Sequence, residues 1–173
     1  MTDGYQVYHK LAKEKGGLTV ARCWAHARRW YEEAVKSLPA KSRKSSLAWQ
    51  ALEQINMIYH VDNTLKELTP EERKKRRQDS VKPLVEAYFA WVKEKKKDGR
   101  IAEKSKTGKG LSYSLNQEEY LKVFLENGNV PLDNNAAERA IRNFCIGRKN
   151  WVIIDTIRGA QSSAMIYSIA ETA

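Results

Sequence analysis

Long apolar runs are missing from this sequence of 173 residues, and cysteine is scarce. No stretch approaches the roughly 18 consecutive apolar residues of a membrane-spanning helix, so no membrane span is expected. The first residues, MTDGYQVYHK, are polar and lack the apolar core of a secretory signal. Two cysteines, Cys23 and Cys145, give no disulfide framework and suit a reducing cytosol.

Acidic residues are outnumbered by basic ones. The sequence has 31 Lys and Arg against 21 Asp and Glu, which gives a formal net charge of +10. Because such an excess attracts polyanions, nucleic acid is the first expected partner and an anionic membrane surface the second. The length allows one domain with a real core and hardly two. No internal repeat is found, and nothing indicates a small-molecule substrate.

Apolar spacing predicts helices through the middle of the chain. One stripe recurs at threes and fours over residues 47–68, and a second over residues 81–92. We expect these stripes to pack together as an antiparallel helical hairpin. Thr69 and Glu72, with a proline between them, carry the signature of a helix start, and Pro83 predicts a kink or break.

Two short segments are typical of strands: LTVARCW, residues 18–24, and WVIID, residues 151–155. Residues 92–112 are rich in Lys and Gly without apolar periodicity, which predicts an exposed loop. Since a lone strand needs a sheet to join, either the two strands pair or further strands are absent from this sequence. The predicted fold class is therefore α/β and predominantly helical.

The stretch VPLDNNAAERAIRNF, residues 130–144, concentrates acids, amides and arginines. One interpretation is helix capping, because Asn135 stands three residues before Glu138 and Asp133 is favourable near a helix start. Glu138 and Arg142 are also spaced to pair across one turn, for roughly 0.2–0.5 kcal/mol. The alternative is that Glu138 is a half-sheltered carboxylate that binds a divalent metal with an Asp of another element. A pair of such ions assists phosphoryl transfer.

Several cations are placed to neutralise phosphates. The candidates in and after the same stretch are Arg139, Arg142, Arg148 and Lys149. Arg28 and Arg29 allow the same interpretation, with a solvated helix face as the alternative. Residues 73–77, RKKRR, and the lysines of residues 93–109 are further candidates for DNA contact, and a solvated surface is again the alternative.

Cys23 and His26 have the spacing of half a zinc site in CWAH. A structural zinc site needs four ligands, and no second close pair of Cys or His exists in the sequence. The simpler interpretation is that Cys23 is a small core residue. The tryptophans fall on or near the apolar stripes, so core packing is expected for them.

Four blocks resemble, in order and spacing, the C-terminal half of the catalytic domain of insertion sequence 66 family transposases. They are TDGYQVY, ARCWAHARRWYEEA, PLDNNAAERAIRNFCIGRKNW and RGAQSSAMIYSIAETA. The resemblance covers almost the whole chain and is densest at residues 1–35 and 130–173. It implies a DDE transposase with a ribonuclease H-like fold, which cleaves a phosphodiester at the element end and joins the freed 3′-hydroxyl to target DNA. The partial fold expected here lacks its first strands and carries a helical insertion.

The resemblance also implies site residues. Asp3 matches the second acid of the catalytic triad and Glu138 the third, and both are expected to bind Mg²⁺ or Mn²⁺ in a two-ion site. His26 is implied to contact the scissile phosphate or to order Asp3. The first acid has no counterpart here, so this chain is expected to be a fragment that is inactive alone. Asn143 stands where the family usually has Pro, a change that frees a backbone N–H.

Three segments follow from matching these blocks. Residues 1–38 carry the second acid, residues 39–129 form a helical insertion with a basic loop, and residues 130–173 carry the third acid with a final strand and helix. The implied partner is DNA, as element ends and target, with a homo-oligomer for the intact transposase and the bacterial cytoplasm, at the nucleoid, as its location. The alternative function is a non-catalytic remnant that binds DNA or another protein.

Overall fold

Helices form nearly all the regular structure in the computed structural model, which describes residues 14, 17, 19–140, 142 and 156–172. The chain divides into two units, Met1–Asp133 and Asn134–Ala173. The described helices of the first unit are α1 (Trp24–Lys36), α2 (Ala40–Arg43), α3 (Leu47–Asn63), α4 (Pro70–Arg76), α5 (Lys82–Lys97), α6 (Lys106–Asn116) and α7 (Glu118–Lys122). A π-helical turn, Arg77–Val81, joins α4 to α5, and a 3-10 turn, Val123–Leu125, follows α7. The second unit contains α8 (Asn135–Ala140) and α9 (Ile157–Thr172).

One apolar core holds the first unit together. Helix α1 packs against α3 and α6, and α5 packs against the same two helices. The largest fully buried apolar side chains come from α1, the π turn and helices α3 and α5–α7, with one from the 3-10 turn: Trp24, Tyr31, Ile55, Ile58, Val81, Val85, Tyr88, Phe89, Leu111, Leu121 and Phe124. Removal of this surface from water is the main favourable term in folding. Helix α1 and the helices of residues 39–129 therefore share a single core.

The two predicted apolar stripes are confirmed. The first stripe is buried on α3 and at Leu65 in the turn after it, with Val61 and Leu68 half-buried. The second stripe is buried on α5 and the turn before it. Trp24 is fully buried, while Trp49 and Trp91 pack against the core from its edge, as their spacing predicts. Helices α3 and α5 lie against each other, so the stripes meet as expected.

The predicted helix start at Thr69 is also confirmed. The Thr69 side chain accepts a hydrogen bond from the Glu72 N–H, and the Glu72 carboxylate accepts one from the Thr69 N–H at 3.1 Å. The Thr69 hydroxyl also donates to this carboxylate at 2.8 Å, and the two hydrogen bonds that the carboxylate accepts lower the pKa of the Glu72 carboxyl group. Such a reciprocal pair satisfies two backbone donors that a helix start otherwise leaves open.

Pro83 does not break the helix, contrary to one of the two expected outcomes. A proline removes the hydrogen bond to the carbonyl four residues earlier and its ring crowds that carbonyl. Here the π turn Arg77–Val81 comes just before Pro83 and widens the helix by one residue. The backbone therefore continues from α4 to α5 without an interruption.

The strand predicted for residues 18–24 is wrong over the part that the structure describes. Residues 19–23 contain only an isolated β-bridge at Arg22, and helix α1 has begun by Trp24. The Arg22 N–H donates to the Tyr120 carbonyl at 3.0 Å, and the Trp24 N–H donates to the Leu132 carbonyl at 3.2 Å. These acceptors belong to a helix and a loop rather than to a neighbouring strand. The second predicted strand, residues 151–155, lies outside the described residues, so the helical part of the fold class is what the structure confirms.

The predicted loop at residues 92–112 is largely helical. Helix α5 extends to Lys97, and α6 begins at Lys106, where the Ser105 hydroxyl accepts a hydrogen bond from the Gly108 N–H at 3.0 Å. A Cβ added to Gly110 would lie 2.8 Å from a ring carbon of Tyr31. The glycine therefore permits close packing of α6 on α1, whereas the Lys- and Gly-rich composition predicted an exposed loop.

Helix α9 confirms the helix predicted at the end of the chain. Four of its large apolar side chains are mostly exposed: Ile157, Met165, Ile166 and Ile169. No helix in the described ranges combines the length and apolar character needed to cross a membrane.

Candidate functional site

The beginning of α1 is anchored by hydrogen bonds to residues about 100 positions later in the chain. The Trp24 indole is fully buried, and its Nε1–H donates to the Leu121 carbonyl at 2.9 Å. The backbone bonds from Arg22 and Trp24 attach the same point to residues 120 and 132. Residues 22–24, just before His26, are therefore hydrogen-bonded to residues 120–132 of the same unit.

His26 lies in the first turn of α1 and is half-buried. Its backbone N–H donates to the Cys23 carbonyl at 3.2 Å. The Nδ1 atom of its ring is buried and meets no hydrogen-bond partner within the described part of the chain. Cys23 itself is buried, as its interpretation as a core residue predicts. One thiol and one imidazole are half of the four ligands that a closed zinc site requires.

Arg28 and Arg29 differ in their surroundings. The Arg28 Nε lies 3.1 Å from a carboxylate oxygen of Glu32, and its guanidinium lies over the Tyr59 ring, 5.9 Å from the ring centre. Arg29 is exposed. A half-exposed ion pair such as that of Arg28 contributes little to stability, so a phosphate can compete for this guanidinium. Both cations therefore suit a contact with a DNA backbone, with Arg29 the more accessible of the two.

Tyr59 lies close enough to Asp133 for the two groups to interact electrostatically, which the sequence did not predict. Tyr59 is half-buried on α3, and burial raises the pKa of its hydroxyl well above the ordinary value. The neighbouring Asp133 carboxylate and the Cys23 thiol raise this pKa further, while the Arg28 guanidinium lowers it. Tyr59 is therefore a neutral phenol at physiological pH, beside the predicted DNA-binding arginine.

Arg22 is a second residue that the sequence analysis missed. It is buried, its Nε donates to the Gln117 side chain at 2.9 Å, and its guanidinium lies 5.8 Å from the centre of the Tyr120 ring. A guanidinium engaged in this way is positioned by the protein and holds the start of α1. No local sequence pattern distinguishes it from the exposed arginines, because its partners lie about 95 residues away.

Two of the five arginines and lysines in RKKRR, residues 73–77, are structural rather than DNA-binding. The Arg73 guanidinium donates to the backbone carbonyls of Leu65, Lys66, Leu68 and Gly128 at 2.5–3.1 Å. Arg77 is buried and pairs with Asp62 through two hydrogen bonds, of 2.7 and 3.0 Å. The solvated interpretation applies to the three cations between them, which are exposed.

Three buried or half-buried tyrosines, Tyr31, Tyr59 and Tyr88, are predicted to resist ionisation. Burial raises the pKa of all three. The unfolded chain therefore loses these phenolic protons at a lower pH than the folded chain does. The free energy of unfolding is thus unaffected by these groups below about pH 10, and it falls as the pH rises above that value. We expect at least three of the eight tyrosines to gain tyrosinate absorbance only as the protein unfolds.

A titration in concentrated urea is the control for this prediction, since every tyrosine should ionise there near its ordinary pKa. The prediction is wrong if all the tyrosines titrate together while circular dichroism still shows folded helix. Replacement of Tyr59 by Phe should reduce the number of late-titrating tyrosines by one.

The second unit carries the other described candidates on α8 and just after it. Glu138 is half-buried, as predicted for a half-sheltered carboxylate. Its backbone N–H donates to the Asn134 carbonyl at 2.9 Å. The sequence placed the capping residue at Asn135. Because α8 begins at Asn135, the capping position is Asn134 instead. Arg139 and Arg142 are exposed, which leaves both guanidinium groups accessible to phosphates.

Three predicted site residues, Asp3, Arg148 and Lys149, lie outside the described residues. Their predicted roles in metal and DNA binding therefore stay predictions. The structure brings His26, Arg28 and Arg29 together on one helix start, and it places Glu138 and Arg139 together on α8.

Comparison with models of known protein families identifies the family of this chain. The model of the transposase IS66 family matches residues 1–162. This chain belongs to the IS66 family of transposases. The match includes all of residues 1–35 and residues 130–162 of the second region in which the resemblance was densest, so the family resemblance is confirmed.

Relatives of this IS66 family chain occur in Sinorhizobium fredii (strain NBRC 101917 / NGR234). The uncharacterized protein y4hP is 31% identical over 98% of this chain and 32% of its own length. The uncharacterized proteins y4qI and y4jD are 29% and 27% identical over 98% and 99% of this chain. The chain thus spans about a third of the length of these curated relatives. No solved structure matches it.

Proposed function

We propose that this chain is part of the catalytic domain of a DDE-type transposase with a ribonuclease H-like core. In the whole protein, this domain binds DNA, cleaves a phosphodiester at the element end and joins the freed 3′-hydroxyl to target DNA. The observation that carries the proposal is the family match over residues 1–162. The excess of ten positive charges supports a polyanionic partner.

The metal-binding residues of the proposal are Asp3 and Glu138. Carboxylates are the ligands that Mg²⁺ and Mn²⁺ prefer, and the half-buried position of Glu138 leaves its carboxylate with limited hydration. When bound, a pair of such ions activates the attacking oxygen and stabilises the leaving one. Glu138 lies one residue before the exposed Arg139, so the helix that supplies the acid also supplies a cation for the DNA strand.

His26 has a positioning or phosphate-contacting role in this proposal. Its buried Nδ1 has no hydrogen-bond partner among the described residues, and a buried polar atom of this kind ordinarily has one. A phosphate oxygen or the Asp3 carboxylate would satisfy it. Either contact fixes the orientation of the imidazole ring and hence of the group that it touches.

DNA contacts in the proposal come from cations on both units. Arg28 and Arg29 lie on α1, Arg139 and Arg142 lie on or near α8, and Arg148 and Lys149 follow in the sequence. Arginine binds a phosphate through two parallel hydrogen bonds, which positions the strand as well as neutralising it. We extend the proposal to a homo-oligomer of the intact transposase, acting at the nucleoid of a bacterial cytoplasm.

These residues alone are proposed to perform no strand transfer, because no residue here matches the first acid of the triad. A strand-transfer assay with labelled element ends and Mg²⁺ or Mn²⁺ tests this point. Clear strand transfer by the chain of 173 residues would show that the acids present suffice. The second candidate function, a basic remnant that binds DNA without chemistry, is favoured if the chain binds DNA and binds no Mn²⁺.

Mn²⁺ binding is the predicted residual property of the acids that are present. We expect the Asp3→Ala and Glu138→Ala variants to bind Mn²⁺ about tenfold more weakly or worse than the parent chain, since loss of even an outer-shell contact costs that much. Isothermal titration calorimetry measures the affinity directly. The physical reason is that each variant removes one of the two carboxylates assigned to the metal.

The matched control for the metal prediction is Glu53→Ala, which removes an exposed carboxylate from α3. It should leave Mn²⁺ affinity unchanged. Equal losses in all three variants would mean that Mn²⁺ responds only to total charge, and the assignment of Asp3 and Glu138 would then be wrong.

A further inference from the structure

Half of the chain's positive charge excess lies in one short segment. Residues 93–109, called the lysine ridge below, contain eight cations and three carboxylates, an excess of five out of a net charge of +10. The sequence suggested a loop here, but the structure builds this segment from the end of α5, a connection of eight residues and the start of α6. Its charges are therefore attached to a folded scaffold.

The two helix ends of the lysine ridge are held together by specific contacts. The Lys96 ammonium donates to the Glu103 carboxylate at 2.6 Å and to the Ser112 hydroxyl at 3.1 Å, which attaches α5 to the connection and to α6. Gly108 packs against the connection so tightly that an added Cβ would lie 2.3 Å from the Ala102 carbonyl oxygen. The cations on both sides of the connection therefore belong to one surface.

Three cations of the lysine ridge are exposed and meet no carboxylate within ion-pair distance among the described residues: Lys97, Lys104 and Lys109. The Lys109 ammonium lies over the Trp30 ring instead, 5.7 Å from its centre. The other cations of the ridge pair with carboxylates in exposed or half-exposed contacts. Pairs of that kind are weak, so a dense row of phosphates can replace the carboxylates.

The exposed cations of helix α4 differ from those of the lysine ridge, because exposed carboxylates nearby offset more of their charge. Lys74, Lys75 and Arg76 are exposed, and Arg76 acts electrostatically on Glu72 one turn earlier. Glu71 and Asp79 are exposed close by in sequence. The local excess of positive charge is therefore much smaller on α4 than on the lysine ridge.

We propose that the lysine ridge is a second DNA-binding surface of this chain, which holds the phosphate backbone of duplex DNA without reading its sequence. The proposal rests on the proposed function and extends it to the helical insertion. Lysine ammonium groups are point charges on flexible stems, so they neutralise phosphates and carry little base specificity. An anionic membrane surface offers the same sign of charge, but the family match favours DNA.

The experiment compares two triple variants of the chain that lose the same charge. One carries Lys97→Gln, Lys104→Gln and Lys109→Gln in the lysine ridge, and the other carries Lys74→Gln, Lys75→Gln and Arg76→Gln on α4. Fluorescence anisotropy with a labelled duplex, at about 50 to 200 mM NaCl, gives the slope of log affinity against log salt. We expect the ridge variant to lose about two to three units of that slope. The α4 variant should lose less than about one unit.

The outcomes separate the two levels of the proposal. If the parent chain shows no salt-dependent binding to DNA, the proposed function and the lysine ridge both fail. If the parent binds but the two triple variants lose the same slope, the lysine ridge alone fails and only net charge matters. Stronger binding of the parent to anionic lipid vesicles than to duplex DNA, at the same salt, also overturns the ridge proposal. Circular dichroism melting of each variant verifies that it is folded. A third triple variant, with Lys97→Arg, Lys104→Arg and Lys109→Arg, keeps the three charges and should show the same slope as the parent chain.

Discussion

Replacement of Arg77 by Met is expected to lower the free energy of unfolding by about 3–5 kcal/mol. Arg77 is 1% exposed, and its guanidinium donates two hydrogen bonds to the Asp62 carboxylate. Its Nη1 also donates to the carbonyls of Phe124, Asn127 and Val130 at 2.8–3.2 Å. The variant leaves a buried carboxylate without its cation and three carbonyls without this donor, and both changes are costly. Urea denaturation followed by circular dichroism measures the loss.

Two controls make the Arg77 prediction specific. Arg76→Met changes the exposed neighbour and should alter stability by less than about 0.5 kcal/mol. Combining Arg77→Met with Asp62→Leu removes the unpaired carboxylate, so the double variant should be more stable than Arg77→Met alone. If Arg77→Met proved as stable as the parent chain, the buried pair of Arg77 and Asp62 would make no net contribution to the free energy of unfolding.

Replacement of Trp24 by Ala is expected to cost about 3–5 kcal/mol as well, by a different mechanism. The indole is fully buried among Tyr88, Phe89 and Phe124, with ring centres 5.6–6.2 Å away. Its removal leaves a cavity, and the Leu121 carbonyl loses its indole donor. Because Trp24 also begins α1, the change should loosen the helix start that carries His26. Thermal denaturation and hydrogen exchange of the α1 amides measure the two effects.

The Trp24→Phe variant separates packing from hydrogen bonding. It keeps an aromatic ring in the core but cannot donate to the Leu121 carbonyl, so a smaller loss of about 1–3 kcal/mol is expected. An alanine variant no less stable than the phenylalanine variant would contradict the cavity argument. Faster exchange in the α1 amides without a change near α5 would confirm that the loosening is local.

The features that the sequence predicted are those set by local spacing. Apolar residues at threes and fours define the buried faces of α3 and α5, because a helix repeats every 3.6 residues whatever its neighbours are. The helix start at Thr69 is equally local, since the two hydrogen bonds join residues three apart.

The features that the sequence did not predict depend on distant partners. The glycines of α6 resemble a flexible loop in sequence, and only the approach of Tyr31 to Gly110 shows that they serve packing. Residues 19–23 have strand-like composition, but a strand requires a neighbouring strand, and the described bonds of Arg22 lead elsewhere. Arg77 looks like any other cation in RKKRR until Asp62 is placed beside it.

The candidate site was predictable from family resemblance far more than from physics. Spacing alone left Glu138 as either a helix-capping residue or a metal ligand, and four ordered sequence blocks favoured the second. Tyr59 carries no such signal, because one tyrosine on a long helix says nothing about a carboxylate at position 133. The raised pKa of Tyr59 follows from its burial and from the neighbouring charge of Asp133, and neither can be read from the sequence.

The shared core of the first unit limits how its helices could be exchanged between related proteins. Helix α1 precedes residues 39–129 in sequence, yet Trp24 and Tyr31 lie in the same apolar interior as α3, α5 and α6. A chimera that swapped only residues 39–129 would therefore bring foreign side chains against an unchanged α1. Recombination between relatives should succeed only when α1 is exchanged together with the helices that it contacts, so residues 24–125 behave as one unit of exchange.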